Sequence, residues 1–542
     1  MTDKESPAVI GHDTPTDRKC RVYASISFAV LLLVVGVPLW WDTTAVPRVA
    51  LPYAGIKALS HLDLRIHVQV QLGCLDEYRC QRLATEIFNS LTASGHSGMY
   101  TVTVSHFVTG NSSIPRDKTI ADLDRSAKSF SLTHGDILLL ECAAEALGGN
   151  LAHVTSGRSI YFSSRADAGS ISDVVSQWML REKVLLLTRN ALDKPTEYSL
   201  DVENRRRFPA SPNYDVLLSL VSPDPERMRI DRGLARIAQD YLEPFVEELS
   251  LLANFSVKSQ WLYLLQLGVE PKHVSDSSKF GRHFALTEDV LPQIITPMET
   301  KLASQVSLHP TINLVTYVVP CSNAPLHIYT RQGRRANKAR DFEAFHSPRW
   351  GGIVIVNPPE KFCETTKESD VFTPDQKMIL EAFITQLRLL LGITDKESIG
   401  GVGLAPLEGL KPRGWEVDDL LRIRSVEQLT SAKLTLQSLA RLLKEISNIV
   451  ITDQVGERIN RALTLIQRST ELLSKGDLKN GFLASKEAFV QSEAAFTDPS
   501  LLALLYFPDD QKYAVYIPLF LPVMIPVLFS LKNIKNYLFC SN

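Results

Sequence analysis

The chain has 542 residues, 45% of them hydrophobic, and its 58 Lys and Arg nearly balance 60 Asp and Glu, for a net charge of -2 and a pI near 6.7. With no basic stripe, that balance gives no argument for nucleic-acid binding, which depends on neutralising phosphates. The length exceeds the ~100–200 residues typical of one domain and is ample to bury a core.

Residues 1–21 form a polar tail carrying Arg18, Lys19 and Arg21, and residues 22–41 form an uncharged apolar run from Val22 to Trp41. About 20 apolar residues at ~1.5 Å each cross the ~30 Å hydrocarbon core of a bilayer, so the run predicts a transmembrane helix. A basic start followed by an apolar stretch is also the pattern of a cleaved signal peptide. Gly36 to Trp41 offers no A-x-A-like cleavage site, and the Trp40–Trp41 pair suits an interfacial belt, so the run reads as an uncleaved anchor.

Residues 42–410 read as an α/β body with a mixed sheet. Leu64–Val70, Tyr100–Val108, Asp136–Glu141 and Asp215–Val221 are predicted strands; the first two alternate and the others are nearly continuous apolar runs, as buried strands are. Asp76–Ser94 and Ser172–Leu192 have helical spacing. Ile312–Val319 and Gly352–Asn357 add strands on either side of the polar stretch Arg331–Asp341, and Asp375–Leu391 is a further helix ended by Gly392. Arg205-Arg206-Arg207 reads as a solvated loop. No sequence repeat is evident.

Residues 411–513 read as a helical hairpin or bundle. Val417, Leu420, Leu421, Arg424, Val426 and Leu429 keep a three-to-four period, continued by Leu436, Leu439, Leu443, Ile446 and Ile449. Thr452 or Asp453 can cap the next helix, Gly476 can end it, Asp477 can start another, and Asp498-Pro499 can stop that one. Residues 514–531 form a second apolar run and residues 532–542 a second tail. Pro518, Pro522 and Pro526 make one stripe on that helix, each freeing a carbonyl that needs a donor in lipid, so the helix is expected to pack against other membrane helices.

Basic residues are retained in the cytosol. Arg18, Lys19 and Arg21 precede the first span, Asp42 follows it, Asp509 and Asp510 precede the second, and Lys532 and Lys535 follow it. Both comparisons place the termini in the cytosol and the body on the luminal side. Two sequons, at Asn111 and Asn254, agree with that side. Cys20 and Cys540 then sit beside the membrane as unmodified thiols, leaving Cys74, Cys80, Cys142, Cys321 and Cys363 in the body. Five is odd, so at least one is free, buried or paired with another chain, while Cys74 and Cys80 could close a small loop.

No P-loop, H-E-x-x-H or G-x-S-x-G occurs, and no cofactor or metal-type spacing. His134-Gly135 followed by a strand and Cys142 invites a thiol-protease reading. One intervening strand at ~3.3 Å per residue separates the two side chains by roughly 26 Å, far beyond hydrogen-bond reach, so Cys142 reads as a small buried hydrophobe. In His346-Ser347-Pro348-Arg349-Trp350-Gly351-Gly352, His346 could act as a base and Arg349 as an anion clamp. The alternative is a structural entry to the strand Ile353–Val356, with Pro348 fixing the backbone and Trp350 packing. No catalytic residue is assigned.

The stretch from Asp498 to Leu502, then Leu504-Leu505-Tyr506-Phe507-Pro508-Asp509-Asp510-Gln511-Lys512, then Tyr516 to Pro522 resembles the C-terminal signature of the PIG-S family. The resemblance extends to Pro38–Trp41 with Leu51–Tyr53, to Asn254–Val257, to His346–Gly352 and to Lys444–Ile451, and is least clear before about Pro209, where Asn111 has no family counterpart. It implies a non-catalytic subunit of the GPI transamidase, which joins GPI anchors to the C-terminus of proproteins. It also implies residence in the endoplasmic-reticulum membrane with two spans, and PIG-K-type cysteine peptidase, PIG-T, PIG-U and GAA-type partners, with the nucleophilic Cys on the first of these. A membrane-tethered luminal thiol hydrolase using Cys142, Cys321 or Cys363 is the alternative.

Overall fold

The computed structural model describes residues 14–539 except 37, 40–41, 43–45, 94–97, 110–118, 128–131, 195–204, 232, 276–280, 337–341, 366–369, 395, 408–410, 447–448 and 504–508. The chain divides into two compact units, one of Ala58–Leu434 with Ala462–Val490, the other of Met1–Lys57 with Thr435–Arg461 and Gln491–Asn542.

The larger unit carries the strands. In its first half these are β1 (Ile66–Cys74), β2 (Tyr100–Val108), β3 (Ile137–Cys142), β4 (Ala152–Val154) and β5 (Ser159–Ser163). There follow β6 (Asn213–Ser222), β7 (Arg229–Ile230), β8 (Asn254–Tyr263), β9 (Lys272–Val274), β10 (His283–Thr287) and β11 (Thr311–Val318). The last are β12 (Leu326–Tyr329), β13 (Phe342–Ser347), β14 (Gly351–Val356), β15 (Val371–Phe372) and β16 (Val402–Leu404).

Where the sequence implies one mixed sheet, the structure has two large ones, ordered β16-β4-β5-β3-β1-β2 and β13-β14-β11-β6-β8. Each is parallel at its centre and includes one antiparallel hairpin, β13–β14 at the edge of the second sheet and β4–β5 in the first, where β16 adds a parallel edge strand beyond β4. The segments β2-β1-β3-β5-β4 and β8-β6-β11-β14-β13 therefore repeat one topology: the first strand of each half lies between its second and third. β3, β5 and β14 are buried at every residue, which is why their sequences are continuous rather than alternating. A small sheet, β12-β10-β9, packs with the second large sheet around Leu217, Leu286, Ile294, Val315, Ile328 and Ile353.

Several sequence expectations change in detail. β8 carries no continuous apolar run because it is an edge strand whose residues are mostly exposed, so the pattern did not mark it. The helix expected over Ser172–Leu192 is broken into Ala168–Val174, a π-helical turn Val175–Leu180 and Glu182–Asp193, with Arg181 left-handed at the break (φ 45°). Arg207 is no solvated loop residue: it is 3% exposed and pairs with Glu427, while Arg205 and Arg206 remain exposed. The Gln376–Leu391 helix is closed as expected by Gly392 at φ 104°, while Asp375, expected as its first residue, caps it instead by accepting from Met378 N–H at 3.1 Å.

Three long helices follow, Gly414–Glu445, Asp453–Ser474 and Leu478–Phe496. Thr452 Oγ1 accepts from Val455 N–H, Gly476 ends the second helix at φ 89°, and Asp477 accepts from Asn480 N–H to start the third. In the smaller unit, Val49 N–H donates to Ile451 and Ile451 N–H to Pro47, both at 3.1 Å, and Arg458 pairs with Asp498 at 2.8 Å. The Pro15–Val30 helix continues as a π-helical turn to Gly36, and its Lys19–Gly36 stretch is long and apolar enough to cross a membrane (mean hydropathy 1.7). It packs against the Asp509–Phe539 helix, where Ala29 and Val527 are the buried residues. That second helix passes the same test only as a bent pair, Ala514–Pro522 and Met524–Lys532, inclined by 51°. Pro518, Pro522 and Pro526 are all exposed. Trp40, Trp41, Asn111 and Cys540 lie outside the described residues.

Candidate functional site: an ionic helix through the body

The Gly414–Glu445 helix does not keep the one-sided burial its period suggests: from Trp415 to Val426 every residue is buried. Buried charge must be paired and hydrogen-bonded, and here two faces of one helix meet that demand separately. Trp415, Asp418, Asp419 and Arg422, at helical spacing, address the first sheet. Trp415 Nε1 donates to Thr155 O at 3.1 Å. Asp418 accepts from Gly135 N–H at 3.0 Å and from Arg158 Nε and Nη2 at 2.5 and 2.9 Å, and its Oδ1 lies 2.9 Å from His134 Nδ1. Asp419 pairs with Arg181, the left-handed residue at the helix break, at 2.9 Å, and Arg422 donates to the carbonyls of Met179 and Gly135.

Glu416, Arg424 and Glu427 address the second sheet. Glu416 accepts from Arg388 Nη2 and Arg413 Nη1, each at 3.0 Å; Arg424 donates to Phe208 O at 2.8 Å and to Glu427; and Glu427 also pairs with Arg207. Burial works against charge on Asp418, yet the hydrogen bonds from His134 and Arg158 hold its carboxyl down at about 2. Burial likewise opposes charge on Glu427, and Arg207 and Arg424 overcome it. The sequence offered acids and arginines three and four apart in this segment, a pattern shared by solvated helix faces, so the network was not legible there.

The other sequence candidates are dispersed. His134 is held by Asp418 at one end of β3, and Cys142 ends that strand, buried, its thiol pushed up to about 12 by burial and by Glu141. Cys321 and Cys363 form a disulfide, as do Cys74 and Cys80, and Cys20 is exposed. His346 to Gly352 is the β13–β14 hairpin. His346 is half-buried, its imidazole pKa lowered by burial and by Arg206; Arg349 is exposed in the turn at φ 57°; and Trp350 packs against the core of the second large sheet around Val315 and Ile353. A Cβ on Gly351 would stand 1.9 Å from Asn313 O, so the turn is pressed directly onto β11. Asn254 is exposed at the start of β8. Among the described residues no group of three or more metal-type side chains converges.

Comparison with known proteins decides the family. The family described as Phosphatidylinositol-glycan biosynthesis class S protein matches residues 27–539. The chain belongs to the PIG-S family. It is 35% identical over 538 residues to the Homo sapiens protein called GPI-anchor transamidase component PIGS and 34% to its Rattus norvegicus counterpart, covering 94% of both chains in each case. A Saccharomyces cerevisiae protein called GPI transamidase component GPI17 is 24% identical over 95% of this chain and 92% of its own. This PIG-S match spans both sheets, the ionic helix, the C-terminal apolar helix and the N-terminal one from residue 27 on.

Proposed function

We propose that this chain is a non-catalytic structural component of a GPI transamidase, supporting attachment of GPI anchors to proproteins at the endoplasmic-reticulum membrane. The observation that carries the reading is the PIG-S match across residues 27–539, together with relatives called transamidase components. The cysteines support it: Cys321 and Cys363 are joined to each other, and Cys142 is buried and held as a thiol, whereas a nucleophile must reach the thiolate. Two disulfides suit an oxidising lumen, and the basic flanks favour a luminal body at 42–410 and 411–513 with both termini cytosolic. The bent Ala514–Lys532 pair supplies the second span, and its exposed proline face offers freed carbonyls to another membrane helix. The partners are PIG-K-type, PIG-T, PIG-U and GAA-type subunits, with the nucleophile on the first.

The test is affinity purification of the full chain from mildly solubilised microsomes, with mass spectrometry and a transamidation assay. Co-recovery of a cysteine peptidase with the other subunits, and undiminished transamidation by Cys142→Ala, are expected. Recovery of the chain alone with thiol-dependent hydrolysis would reverse the reading.

A further inference from the structure

In an open sheet with parallel strands, ligands bind outside the carboxyl ends of the strands where the strand order reverses. Each half of this body has one such point. In the first half it lies between β1 and β3, and it is plugged. Glu141 of β3, 2% exposed, accepts from Leu75 N–H just past β1 at 3.1 Å and pairs with Arg79 at 3.3 Å, while Arg79 also donates to Ser164 O beyond β5. The equivalent point of the second half lies between β6 and β11, and it is open. A crevice of about 590 Å³ is lined by residues that follow β6 (Asp224), β8 (Gln266, Glu270) and β11 (Ser322, Asn323). That volume falls within the ~300–1,000 Å³ of small-molecule sites.

Its walls are held independently of any ligand. Cys321 is tied to Cys363, Asn323 N–H donates to Pro320 O at 2.9 Å, and Asn357 brackets Leu326 with bonds of 2.8 and 3.0 Å. Gly268 (φ 74°) lies against Pro297 so closely that a Cβ would stand 2.8 Å from its ring.

The lining chooses the ligand class. It contains two carboxylates, two amides and the hydroxyls of Ser322 and the largely buried Tyr317, beside the buried Val319 and Leu326, and among the described residues it contains no Lys, Arg or His. A phosphate would meet Glu270 with no cation in the lining to offset it, and Asp224 with only the exposed Arg227 guanidinium 3.9 Å behind it, and an apolar ligand would strip water from those groups without replacing their hydrogen bonds. Hydroxyls can donate to carboxylates and accept from amides, and an amine adds a charge-assisted bond. We infer that the open carboxyl-end crevice of the second sheet binds a neutral or amine-bearing oligosaccharide. This goes beyond the structural role proposed above and is tested on the isolated chain, so failure to recover partners leaves it standing.

The experiment titrates full-length chain in detergent micelles with mannotriose, with the amine-bearing chitosan trimer and with inositol hexakisphosphate, read by saturation-transfer NMR and calorimetry. Both sugars are expected to bind and the phosphate not. Glu270→Gln, at an exposed position, should weaken the chitosan trimer about tenfold more than mannotriose. Ser322→Trp should abolish both with the melting temperature unchanged. Displacement of mannotriose by a glycosylated phosphatidylinositol assigns the sugar to a lipid, and displacement by an asparagine-linked glycopeptide assigns it to a protein. No sugar binding at millimolar concentration, preference for the phosphate, or wild-type binding by the folded Ser322→Trp variant would overturn the inference.

Discussion

Asp418 shows how a single side chain is made to carry charge in the interior. Four donors from Gly135, Arg158 and His134 converge on it, and without them a 2%-exposed carboxylate would take up a proton. Its folded value near 2 lies below the ordinary carboxyl value, so it stabilises the fold above about pH 4 and loses that contribution as pH falls toward 2. The contribution is roughly 2–3 kcal/mol. Asp418→Asn keeps the shape but leaves Arg158 without its counter-charge, and should cost about 3–5 kcal/mol in denaturant unfolding. It should also flatten the stability profile between pH 4 and 2; an unchanged midpoint would remove the network from the account. Asn254 presents the opposite case, an exposed side chain at a strand start inside a sequon. Asn254→Gln is expected to remove one N-glycosidase-sensitive step in gel mobility, and identical mobility would show that the site is unused.

The β13–β14 hairpin is the element in which sequence and structure meet most closely. Pro348, Arg349 and Trp350 make its turn, and the two glycines admit the close approach of β11 and of Gln386, whose Oε1 would lie 2.0 Å from a Cβ on Gly352. Gly351→Ala should therefore prevent folded chain from accumulating. Gly149→Ala, also at positive φ but in open space, should cost only about 1 kcal/mol. Comparable melting temperatures for the two would mean the hairpin yields more easily than its contacts imply. The C-terminal apolar helix has a legible composition and a less legible shape. Its prolines were visible, whereas the 51° bend and the packing of its other face on the N-terminal helix were not. With the proline face left exposed, replacing Pro518, Pro522 and Pro526 by Leu should reduce recovery of partner subunits several-fold from solubilised membranes. Full recovery would show that the freed carbonyls are satisfied some other way.

The body as a whole is two copies of one strand order threaded by one buried helix. Trp415, Asp418, Asp419 and Arg422 hold the first sheet's side, and Glu416, Arg424 and Glu427 hold the second's. Buried pairs add little net stability over apolar packing, but removing one partner is expensive, so the network penalises any other register of helix and sheets. The Cys321–Cys363 bridge closes a 42-residue separation around β12–β14, and Cys321→Ser should lower stability by about 4 kcal/mol by releasing that loop in the unfolded chain. If transamidation falls with Cys321→Ser, a matching fall in melting temperature is expected; lost activity at full stability would restore Cys321 as a candidate nucleophile.

By itself the sequence determined what depends on neighbours along the chain. Apolar runs near Val22–Trp41 and Ala514–Leu531, buried strands at β3, β6, β11 and β14, the stop at Gly392 and the caps at Thr452 and Asp477 are all local. The fate of the charges was decided only by tertiary structure. Arg207 and Arg205 stand two residues apart in one basic run, yet one is buried against Glu427 and the other faces water. The repeated strand order and the contrast between the plugged and the open carboxyl end were equally hidden, because strand order and cavities are set by residues hundreds of positions apart. Periodicity reports which face of an element is apolar; it does not report which distant element covers that face, nor whether a charge on it will meet water or a counter-charge.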